Sequence, residues 1–271
     1  MSTYYNPLRK YLRVISGSWA EFTAYRLNFV LWRVRMVMQI LVVYFLWWAI
    51  FSSHTVLFGY TQSMMLTYVL LSSIIRSIVL GTRTDEVGDV INEGNLSNFL
   101  VRPINFFRYY MARDLADKAL NVLFAVAEIA LLIVLLHPPV FLQADIGILF
   151  LSSIAVVMGM TLYFCVSMLL GFLGFWIPDF WAPRFLLFII IEFFAGGFFP
   201  LDILPEPFFA VARSLPFSYL LYFPLKVYLG QVPPGSIVLE FGVGLLWVSV
   251  LCAALGIVWR KGLRAYAAER R

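Results

Sequence analysis

The sequence predicts an all-α membrane protein, and three observations lead to that fold class. Of the 271 residues, 62% are hydrophobic and only 13% are charged, whereas an ordinary soluble domain is about 25% charged. Apolar runs of roughly twenty residues recur along the chain, which is the length a helix needs to cross about 30 Å of hydrocarbon. Lysine and arginine residues stand at the ends of these runs, as is typical of residues that flank membrane spans.

Six transmembrane helices follow from the apolar runs. We expect them at residues 29–51, Leu57 to Leu80, Ala119 to Leu136, 146–178, Phe185 to Pro200 and Ser236 to Trp259. The fourth run is overlong and must tilt or project from the bilayer, and the fifth is short. Arg33 and Arg35 stand at the inner end of the first span, where we expect their long side chains to snorkel to the headgroups.

The distribution of basic residues predicts the orientation. Residues 1–35, 82–118, 176–184 and 260–271 together hold seventeen lysines and arginines, whereas the loops 52–56, 137–145 and 201–235 hold two. Because basic loops stay on the cytoplasmic side, both termini are expected to be cytoplasmic.

The chain divides into residues 1–28 and a six-span domain over residues 29–271. In the first segment Leu12, Ile15, Trp19 and Phe22 follow helical spacing, beside a basic cluster formed by Arg9, Lys10 and Arg13. This pattern predicts a cytoplasmic helix that lies in the membrane interface with its apolar face down. The alternative is an unstructured basic leader.

Residues 201–235, between the fifth and sixth spans, do not resemble a solvated loop. Phe, Leu, Tyr and Val dominate, and six prolines divide the segment into pieces too short to cross a membrane: Pro205, Pro207, Pro216, Pro224, Pro233 and Pro234. We expect re-entrant or interfacial helices at the outer side, with their broken backbone buried by protein. Gly196, Gly197 and Pro200 mark the turn at which the chain leaves the fifth span.

The stretch NEGNLSNFLVRPIN, residues 92–105, is polar and lies in the loop between the second and third spans. Asn95 or Ser97 is suited to accept backbone N–H bonds at the start of a helix. Pro103 disfavours helical geometry at Arg102 and ends the element there. The pattern predicts a cytoplasmic helix of about two turns.

This short helix carries one narrow apolar stripe, formed by Leu96, Phe99 and Leu100. A helix of two turns is not stable by itself in water. It therefore needs a protein surface for its apolar side, which points to docking against a partner.

Besides Arg33 and Arg35, four charged residues lie within the predicted spans. Glu128 and Glu192 are near the middle of the third and fifth spans, Glu240 is near the outer end of the sixth, and Arg76 is about one turn from the inner end of the second. A charge at mid-bilayer is costly and should face the bundle interior or a cavity. For Glu128 and Glu192 we weigh a substrate pathway or gate equally with a protonated or internally paired packing group. For Glu240 and Arg76 a structural role is favoured.

Several functional classes have no motif in this chain. No G-x-x-x-x-G-K-[ST] P-loop occurs, and no catalytic residues or metal ligands stand at a diagnostic spacing. The basic residues flank apolar runs instead of forming a nucleic-acid-binding stripe. Cys165 and Cys252 fall inside apolar runs, where small packed residues are expected.

Two stretches resemble the type-2 (export-type) permeases of ABC transporters. NEGNLSNFLVRPINFFRYYMAR is similar to the cytoplasmic signature of that family between spans two and three, with a Glu-x-Gly-like turn and a short helix ending in Leu-x-x-Pro. FFAGGFFPLDILPEPFFAVARSLPFSYLLYFPLKVYLG is similar to the family's outer segment between spans five and six. The resemblance extends over almost the whole chain and is closest to bacterial permeases encoded apart from their ATPase.

The resemblance implies roles for particular residues. Asn95 to Arg102 would be the coupling helix that docks on an ATPase. The residues that match the family motif are Glu93, Gly94, Leu96, Leu100 and Pro103. The predicted ATPase-coupling residues are completed by Asn95, Phe99 and Arg102. Where many relatives have Gly-Thr, this chain has Gly94-Asn95. The outer segment would form a gate, in which Gly196, Gly197, Pro200, Pro216 and Tyr219 join Glu128 and Glu192 as substrate-pathway or gate residues.

The resemblance also implies partners and location. The permease would hold no cofactor itself, because ATP and Mg²⁺ would be bound by a separate nucleotide-binding ATPase subunit. A second copy or a paralogous permease would complete the pathway in a bacterial plasma (inner) membrane, in contact with lipid and without nucleic acid. Two alternatives remain at this stage: an ion- or proton-coupled secondary transporter that uses Glu128 and Glu192, and a structural anchor for a soluble partner.

Overall fold

The structure is a computed structural model that describes residues 14–17, 19, 26–101 and 104–269. Residues 14–17 and 19 are helical. The elements that follow are α1 (Arg26–Phe51), β1 (Val56–Leu57), β2 (Tyr60–Thr61), α2 (Gln62–Val79), α3 (Val87–Asn92), α4 (Leu96–Val101), α5 (Phe106–Leu136), α6 (Ile146–Gly171), α7 (Trp181–Phe194), α8 (Glu206–Ser214), α9 (Tyr222–Tyr228) and α10 (Pro234–Glu269). Short 3₁₀ turns cover Thr84–Glu86, Phe172–Phe175, Leu201–Ile203 and Pro216–Tyr219.

Five helical segments in the described part of the chain are long and apolar enough to cross a membrane. They are Val30–Phe51, Gln62–Val79, Phe106–Leu136, Ile146–Phe175 and Pro234–Ala267. The predicted class, an all-α membrane protein, is therefore confirmed, but six spans are not. The predicted fifth span is the 14-residue helix α7, which begins at Trp181 and ends at Phe194. At 1.5 Å per residue it reaches only about 21 Å.

Other predicted spans also have different bounds in the structure. The second begins at Gln62 because residues 56–61 form a β-hairpin, whose turn contains Phe58 and Gly59 at positive φ. The third starts at Phe106, since the side chain of Asn105 accepts a hydrogen bond of 3.1 Å from the Arg108 backbone N–H and caps the helix. The sixth continues to Glu269. Helices of 31 and 36 residues are about 46 and 54 Å long, so α5 and α10 exceed the hydrocarbon thickness.

The core of the bundle lies around α2 and α6. Helix α2 packs against α1 and α5, and α6 packs against α9 and α10. Gly159 on α6 permits close packing, since a Cβ at this position would lie 3.0 Å from the Tyr219 carbonyl oxygen. The outward faces of α1, α7 and α10 expose many large apolar side chains, as expected of surfaces that meet lipid or another membrane subunit.

Residues 201–235, which we call the outer segment after their predicted position, are folded in short pieces. Helix α8 is followed by the 3₁₀ turn Pro216–Tyr219 and by α9, and most side chains from Tyr219 to Leu229 are buried. Ser152 on α6 donates a 3.1 Å hydrogen bond to the Pro224 carbonyl oxygen. Pro224 was expected to break the chain, but it lies in the first turn of α9, where a missing N–H costs no helical hydrogen bond.

Much of the predicted N-terminal interfacial helix falls outside the described residues. Within the described part, the indole nitrogen of Trp19 donates a 3.0 Å hydrogen bond to the carbonyl oxygen of Ala116 on α5. This contact joins the N-terminal segment to the part of α5 that precedes its apolar stretch.

Candidate functional site: the coupling loop and the charged residues of the bundle

The polar loop between α2 and α5 folds as two short helices around a glycine turn. Helix α3 ends at Asn92, the backbone N–H of the next residue, Glu93, bonds to the carbonyl oxygen of Asp89, and Gly94 follows with φ of +78°. A residue with a Cβ rarely adopts this left-handed conformation. Gly94 therefore reverses the chain between α3 and α4. We refer to residues 87–101 as the coupling loop, after the role that the resemblance in the sequence implies.

Helix α4 presents two different faces. Leu96 is fully buried and Phe99 is half-buried, whereas Leu100 and Val101 are exposed. The predicted stripe is therefore divided, with Leu96 and Phe99 turned toward the protein and Leu100 left free at the surface. Val101, which the sequence reasoning did not single out, is 87% exposed and adds to this apolar tip.

The inward face of α4 rests on a cluster of aromatic rings. The ring of Phe99 lies 5.6 Å from that of Phe106 in an edge-to-face arrangement, and Phe106 stacks on Trp259 at 4.9 Å. Phe172 lies 5.2 Å from the same Trp259 ring. Because these rings belong to α4, α5, α10 and the turn after α6, the cluster joins the coupling loop to three long helices.

Two hydrogen bonds hold the coupling loop to other elements. The Tyr266 hydroxyl on α10 donates to the Gly94 carbonyl oxygen at 2.8 Å, and the Asn92 side-chain amide donates to the Pro178 carbonyl oxygen at 2.8 Å. The sequence analysis did not identify Tyr266. The one feature that could have pointed to it is its position as a tyrosine within the basic tail. The loop is thus attached to the last helix and to the link between α6 and α7.

Polar side chains at the start of α4 hydrogen-bond with one another and with the Gly94 carbonyl oxygen. The Asn95 side-chain oxygen accepts from the side-chain amide of Asn98, and its own amide donates to Glu93 at 2.9 Å. The Ser97 hydroxyl donates to the Gly94 carbonyl oxygen at 2.7 Å. These hydrogen bonds among polar side chains stabilise the turn before α4. Arg102 and Pro103 lie outside the described residues.

Charged residues on α5 form buried ion pairs beside the end of α2. Arg83 pairs with Asp117 at 2.5 Å, and Lys118 pairs with Asp114 at 2.9 Å. The Lys118 ammonium also donates to the Gly81 carbonyl oxygen at 2.8 Å. The sequence analysis placed these charges in the cytoplasmic loop 82–118, but α5 begins early enough to carry Asp114, Asp117 and Lys118 against the end of α2.

Glu128 pairs with Arg33 across the first and third spans. The two Arg33 nitrogens Nε and Nη2 donate to the two carboxylate oxygens at 2.6 and 2.5 Å. Arg33 is 6% exposed, so the expectation that it snorkels is wrong: it turns inward because an acid on α5 neutralises it. The ion pair with Arg33 thus supports the interpretation of Glu128 as an internally paired packing group.

Glu192 pairs with Arg76, which joins α7 to α2. The Arg76 guanidinium also lies against the glycine turn after α7: a Cβ on Gly197 would be 1.9 Å from its Nη2 atom. Tyr68 donates to the Gly196 carbonyl oxygen at 2.5 Å, and Trp47 donates to that of Phe198 at 3.1 Å. The turn marked by the two glycines is therefore a packed junction with α1 and α2.

At the opposite end of the bundle, Glu240 has two partners. Arg213 Nε donates to its carboxylate at 2.8 Å, and the Tyr219 hydroxyl donates to the other oxygen at 3.0 Å. Pro216 opens the 3₁₀ turn that carries Tyr219. These contacts attach the outer segment to the start of α10.

A second outer contact was not foreseen. Lys226 on α9 pairs with Asp202 at 2.6 Å, and the Tyr60 hydroxyl donates to the same carboxylate at 3.0 Å. Burial, reinforced by the Asp202 charge, raises the pKa of the Tyr60 hydroxyl well above its ordinary value. The hydroxyl therefore stays protonated as the donor that links the β-hairpin to the outer segment.

The two cysteines meet between α6 and α10, with Cys165 Sγ and Cys252 Sγ 3.6 Å apart. Among the described residues, no group of three or more His, Cys, Asp or Glu side chains is arranged to hold a metal ion.

The comparison with known protein families decides the class of this chain. A family model described as "ABC-2 family transporter protein" matches residues 37–269. The chain belongs to the ABC-2 transporter family. It is therefore a membrane permease component of an ABC transporter and not itself an ATPase. No curated protein matches the chain.

The match covers both regions that carry the resemblance in the sequence. The coupling loop and the outer segment 201–235 lie within residues 37–269, whereas the N-terminal segment lies outside the match. In general, an ABC-2 permease implies a separate ATPase partner.

Proposed function

We propose that this permease is the transmembrane subunit of an ATP-driven exporter, that it works as a dimer, and that the coupling loop receives force from a separate ATPase. The single observation that carries the proposal is the division of α4. Its inner face is anchored by Leu96 and Phe99, while Leu100 and Val101 form an exposed apolar tip. An apolar tip on a braced polar loop suits insertion into a groove of a partner.

The packing of α4 supports a mechanism by which a force from the ATPase is transmitted to the long helices. A displacement of α4 would act on the aromatic cluster, and through it on α5, α10 and the end of α6. Close-packed interfaces respond to such a displacement by switching between discrete arrangements. Binding of ATP by the partner would bias that switch only if the partner contacts the two arrangements differently.

The basic residues support an even number of membrane crossings. Both the N-terminal 35 residues and the tail 260–271 are rich in lysine and arginine, which favours cytoplasmic placement of both ends. Five crossings would put the ends on opposite sides. We therefore assign the sixth crossing to α7 together with the glycine turn up to Pro200, in a bacterial plasma membrane.

The predicted substrate-pathway or gate residues are assigned to separate places in the bundle, with different proposed roles. Glu192, Gly196, Gly197 and Pro200 belong to the junction around Arg76, and Pro216 and Tyr219 belong to the outer turn; movement at these places would open the pathway. Glu128 is assigned to holding α1 against α5. The pathway would be completed by a second copy or a paralogous permease, and ATP with Mg²⁺ would bind to the ATPase.

The alternative of an ion-coupled secondary transporter is not retained. Family membership assigns the chain to ABC transporters, and both carboxylates on which the alternative depended are paired with arginines. A purely structural anchor does not account for the folded outer segment.

The test is the variant Leu100→Asp in an affinity-tagged permease. A charge at the exposed tip should prevent docking, so we expect the P-loop ATPase that co-purifies with the wild-type permease, and its ATP hydrolysis, to be lost. Membrane insertion should be unchanged, because Leu100 is 53% exposed and supports no core.

The matched control is Leu142→Asp, which changes an exposed leucine in the loop at the other end of the bundle and should leave the ATPase bound. Equal recovery of the ATPase with Leu100→Asp and with the control would overturn the assignment of the coupling helix.

A further inference from the structure

A cavity of about 410 Å³ lies at the end of the bundle opposite the coupling loop. Phe209 and Arg213 of α8, Tyr222 of α9 and Glu240 of α10 contribute to its lining. Cavities of this size accommodate small organic molecules. The space is therefore large enough for an occupant that lies between the three helices.

The charges of the lining cancel. Two carboxylates, Asp202 and Glu240, and two cations, Arg213 and Lys226, line the cavity. Lys226 is paired with Asp202 at 2.6 Å, and Arg213 donates to Glu240 through Nε at 2.8 Å. An ion that entered would be attracted by one member of a pair and repelled by the other. The lining therefore favours an uncharged ligand, which leaves both pairs intact.

Arg213 keeps hydrogen-bond donors that its ion pair does not use. Its Nε and Nη2 atoms donate to Glu240, whereas its Nη1 atom makes no hydrogen bond with any described residue. Lys226 has no donor left, because three hydrogen bonds use its three N–H groups. Of the two cations in the lining, Arg213 is thus the one that can donate to a ligand.

Tyr222 carries a buried hydroxyl that has no partner in the part of the chain that the structure describes. Its side chain is 8% exposed and lines the cavity, where the hydroxyl is close enough to Asp202, Arg213 and Glu240 to be affected by their charges. Burial raises the pKa of this hydroxyl well above its ordinary value, so it stays protonated as a donor. By contrast, the hydroxyl of Tyr219 in the same lining donates to Glu240 at 3.0 Å.

A buried donor without an acceptor is unfavourable. An oxygen atom of a ligand would provide the acceptor that Tyr222 lacks. This unpartnered hydroxyl is an indication, independent of the volume and the charge of the cavity, that an occupant completes the site.

Apolar side chains form much of the remaining wall. Phe209 and Phe223 line the cavity together with Tyr222, and the rings of Phe209 and Tyr222 lie 6.1 Å apart in an edge-to-face arrangement. Next to these lining residues in the chain, Phe208 on α8 and Leu239 on α10 are exposed. The wall and its surroundings therefore favour an apolar body that carries the polar group of the ligand.

From the balanced charge, the two free donors and the apolar wall, we infer that this cavity binds an uncharged amphiphile rich in hydroxyl oxygens, such as a neutral glycoside. Its oxygens accept hydrogen bonds from Tyr222 and Arg213, and its apolar part lies against Phe209 and Phe223. That this ligand is cargo rests on the proposed exporter function; that it binds does not. The same chemistry is offered by a neutral glycolipid of the membrane and by a single-chain glycoside.

The experiment measures binding to the purified permease in phosphatidylcholine nanodiscs without ATP. One probe is a glucoside with a fluorescent dansyl-hexyl tail, and two controls carry the same tail on a sulfate or on a trimethylammonium group. The other probe is a fluorescent monoglucosyl diacylglycerol. We expect a glucoside to bind above the level of empty nanodiscs, and the single-chain glucoside to bind at least about tenfold more tightly than either charged control, equivalent to about 1.4 kcal/mol.

The two glucosides distinguish the sources of the ligand. Binding of the diacyl probe alone identifies a membrane lipid, and binding of the dansyl-hexyl probe alone identifies a single-chain glycoside. Binding of both shows that the head group decides recognition.

The variant Tyr222→Phe removes the free hydroxyl and keeps the ring in the wall. It should weaken glucoside binding about three- to tenfold, as expected for the loss of a hydrogen bond. Arg213→Lys is the second variant: it keeps the positive charge beside Glu240 but removes the Nη1 donor, and it should weaken binding about threefold. Because Arg213 is exposed, this change should not disturb folding.

The matched control is Tyr228→Phe, which removes a hydroxyl from the same helix α9 but outside the cavity lining. It should bind the glucosides like the wild type.

Four results would overturn the inference: no binding of either glucoside, equal binding of a charged control, unchanged binding by Tyr222→Phe, or equal weakening in Tyr228→Phe. Failure of the exporter proposal is distinguishable from these. In that case a glucoside still binds and depends on Tyr222, but ATP does not drive its movement in vesicles that contain the complete transporter.

Discussion

The Tyr266 hydroxyl on α10 and the Gly94 carbonyl oxygen in the coupling loop are joined by a hydrogen bond of 2.8 Å, although 172 positions separate them in the chain. This bond links the loop proposed to meet the ATPase to the helix that forms the last long apolar segment. Together with the stacking of Phe106 on Trp259, it makes α10 a direct mechanical neighbour of the coupling loop.

Removal of this bond should loosen the coupling loop. A neutral hydrogen bond contributes about 0.5–1.5 kcal/mol, so Tyr266→Phe should speed backbone amide exchange around Gly94 by a few-fold to about tenfold, without loss of insertion. Tyr228→Phe, which removes a hydroxyl at the other end of the bundle, is the control and should leave exchange in the loop unchanged. Identical exchange in wild type and Tyr266→Phe would show that the bond does not restrain the loop.

Replacing only one member of the Arg33–Glu128 pair should lower the stability of the protein strongly. Glu128→Ala leaves Arg33 buried without its counter-charge, and breaking a buried pair in this way costs about 3–5 kcal/mol. We expect a large loss of thermal stability in detergent, and a much smaller loss in the double variant Arg33→Met/Glu128→Leu, which replaces both charges with apolar groups. A stable double variant that transports normally would establish a structural role, whereas a stable but inactive one would return Glu128 to the substrate pathway.

Gly197 should not tolerate a side chain. A Cβ at this position would lie 1.9 Å from Arg76 Nη2, so Gly197→Ala must displace the guanidinium from Glu192. Overpacking of this kind costs about 1–3 kcal/mol, and we expect that loss in thermal unfolding. Gly242→Ala is the control, since a Cβ there meets no atom within 4 Å and alanine favours a helix. Equal stability of the two variants would contradict the packed junction.

Cys165 and Cys252 provide a test of helix adjacency. Their sulfur atoms are 3.6 Å apart, so mild oxidation with copper phenanthroline should form an internal disulfide between α6 and α10. With a protease site inserted at Gln231, the two fragments should stay together on a non-reducing gel and separate after reduction. Cys252→Ser should abolish the link. Fragments that separate without reduction would show that the two helices are not neighbours.

Properties that depend on neighbouring residues in the chain were predictable. Helix-length apolar runs predicted an α-helical membrane protein, and the prolines after Pro200 predicted short buried pieces; both agree with the structure. The glycine turn and short helix at residues 94–101 were also foreseen. Each of these depends on hydropathy, spacing or backbone conformation within a few turns.

The bounds of the elements were less predictable. The early start of α5 at Phe106 could not be read from hydropathy, because its first turns carry charges that are neutralised by Arg83 and Glu86 and by pairing within α5. Likewise, the shortness of α7 depends on the packed turn at Gly196 and Gly197, whose carbonyl oxygens are taken by donors on α2.

By itself, the sequence determined the class of protein, the position of the coupling loop and the enrichment of basic residues at both ends. Only the tertiary structure decided that Glu128 faces Arg33, that Glu192 faces Arg76, that Leu96 is anchored while Leu100 is free, and that Tyr266 holds Gly94. The physical reason is the range of the interactions. Hydropathy and backbone preference act within one segment, whereas the partner of a buried charge or ring depends on which helices pack together.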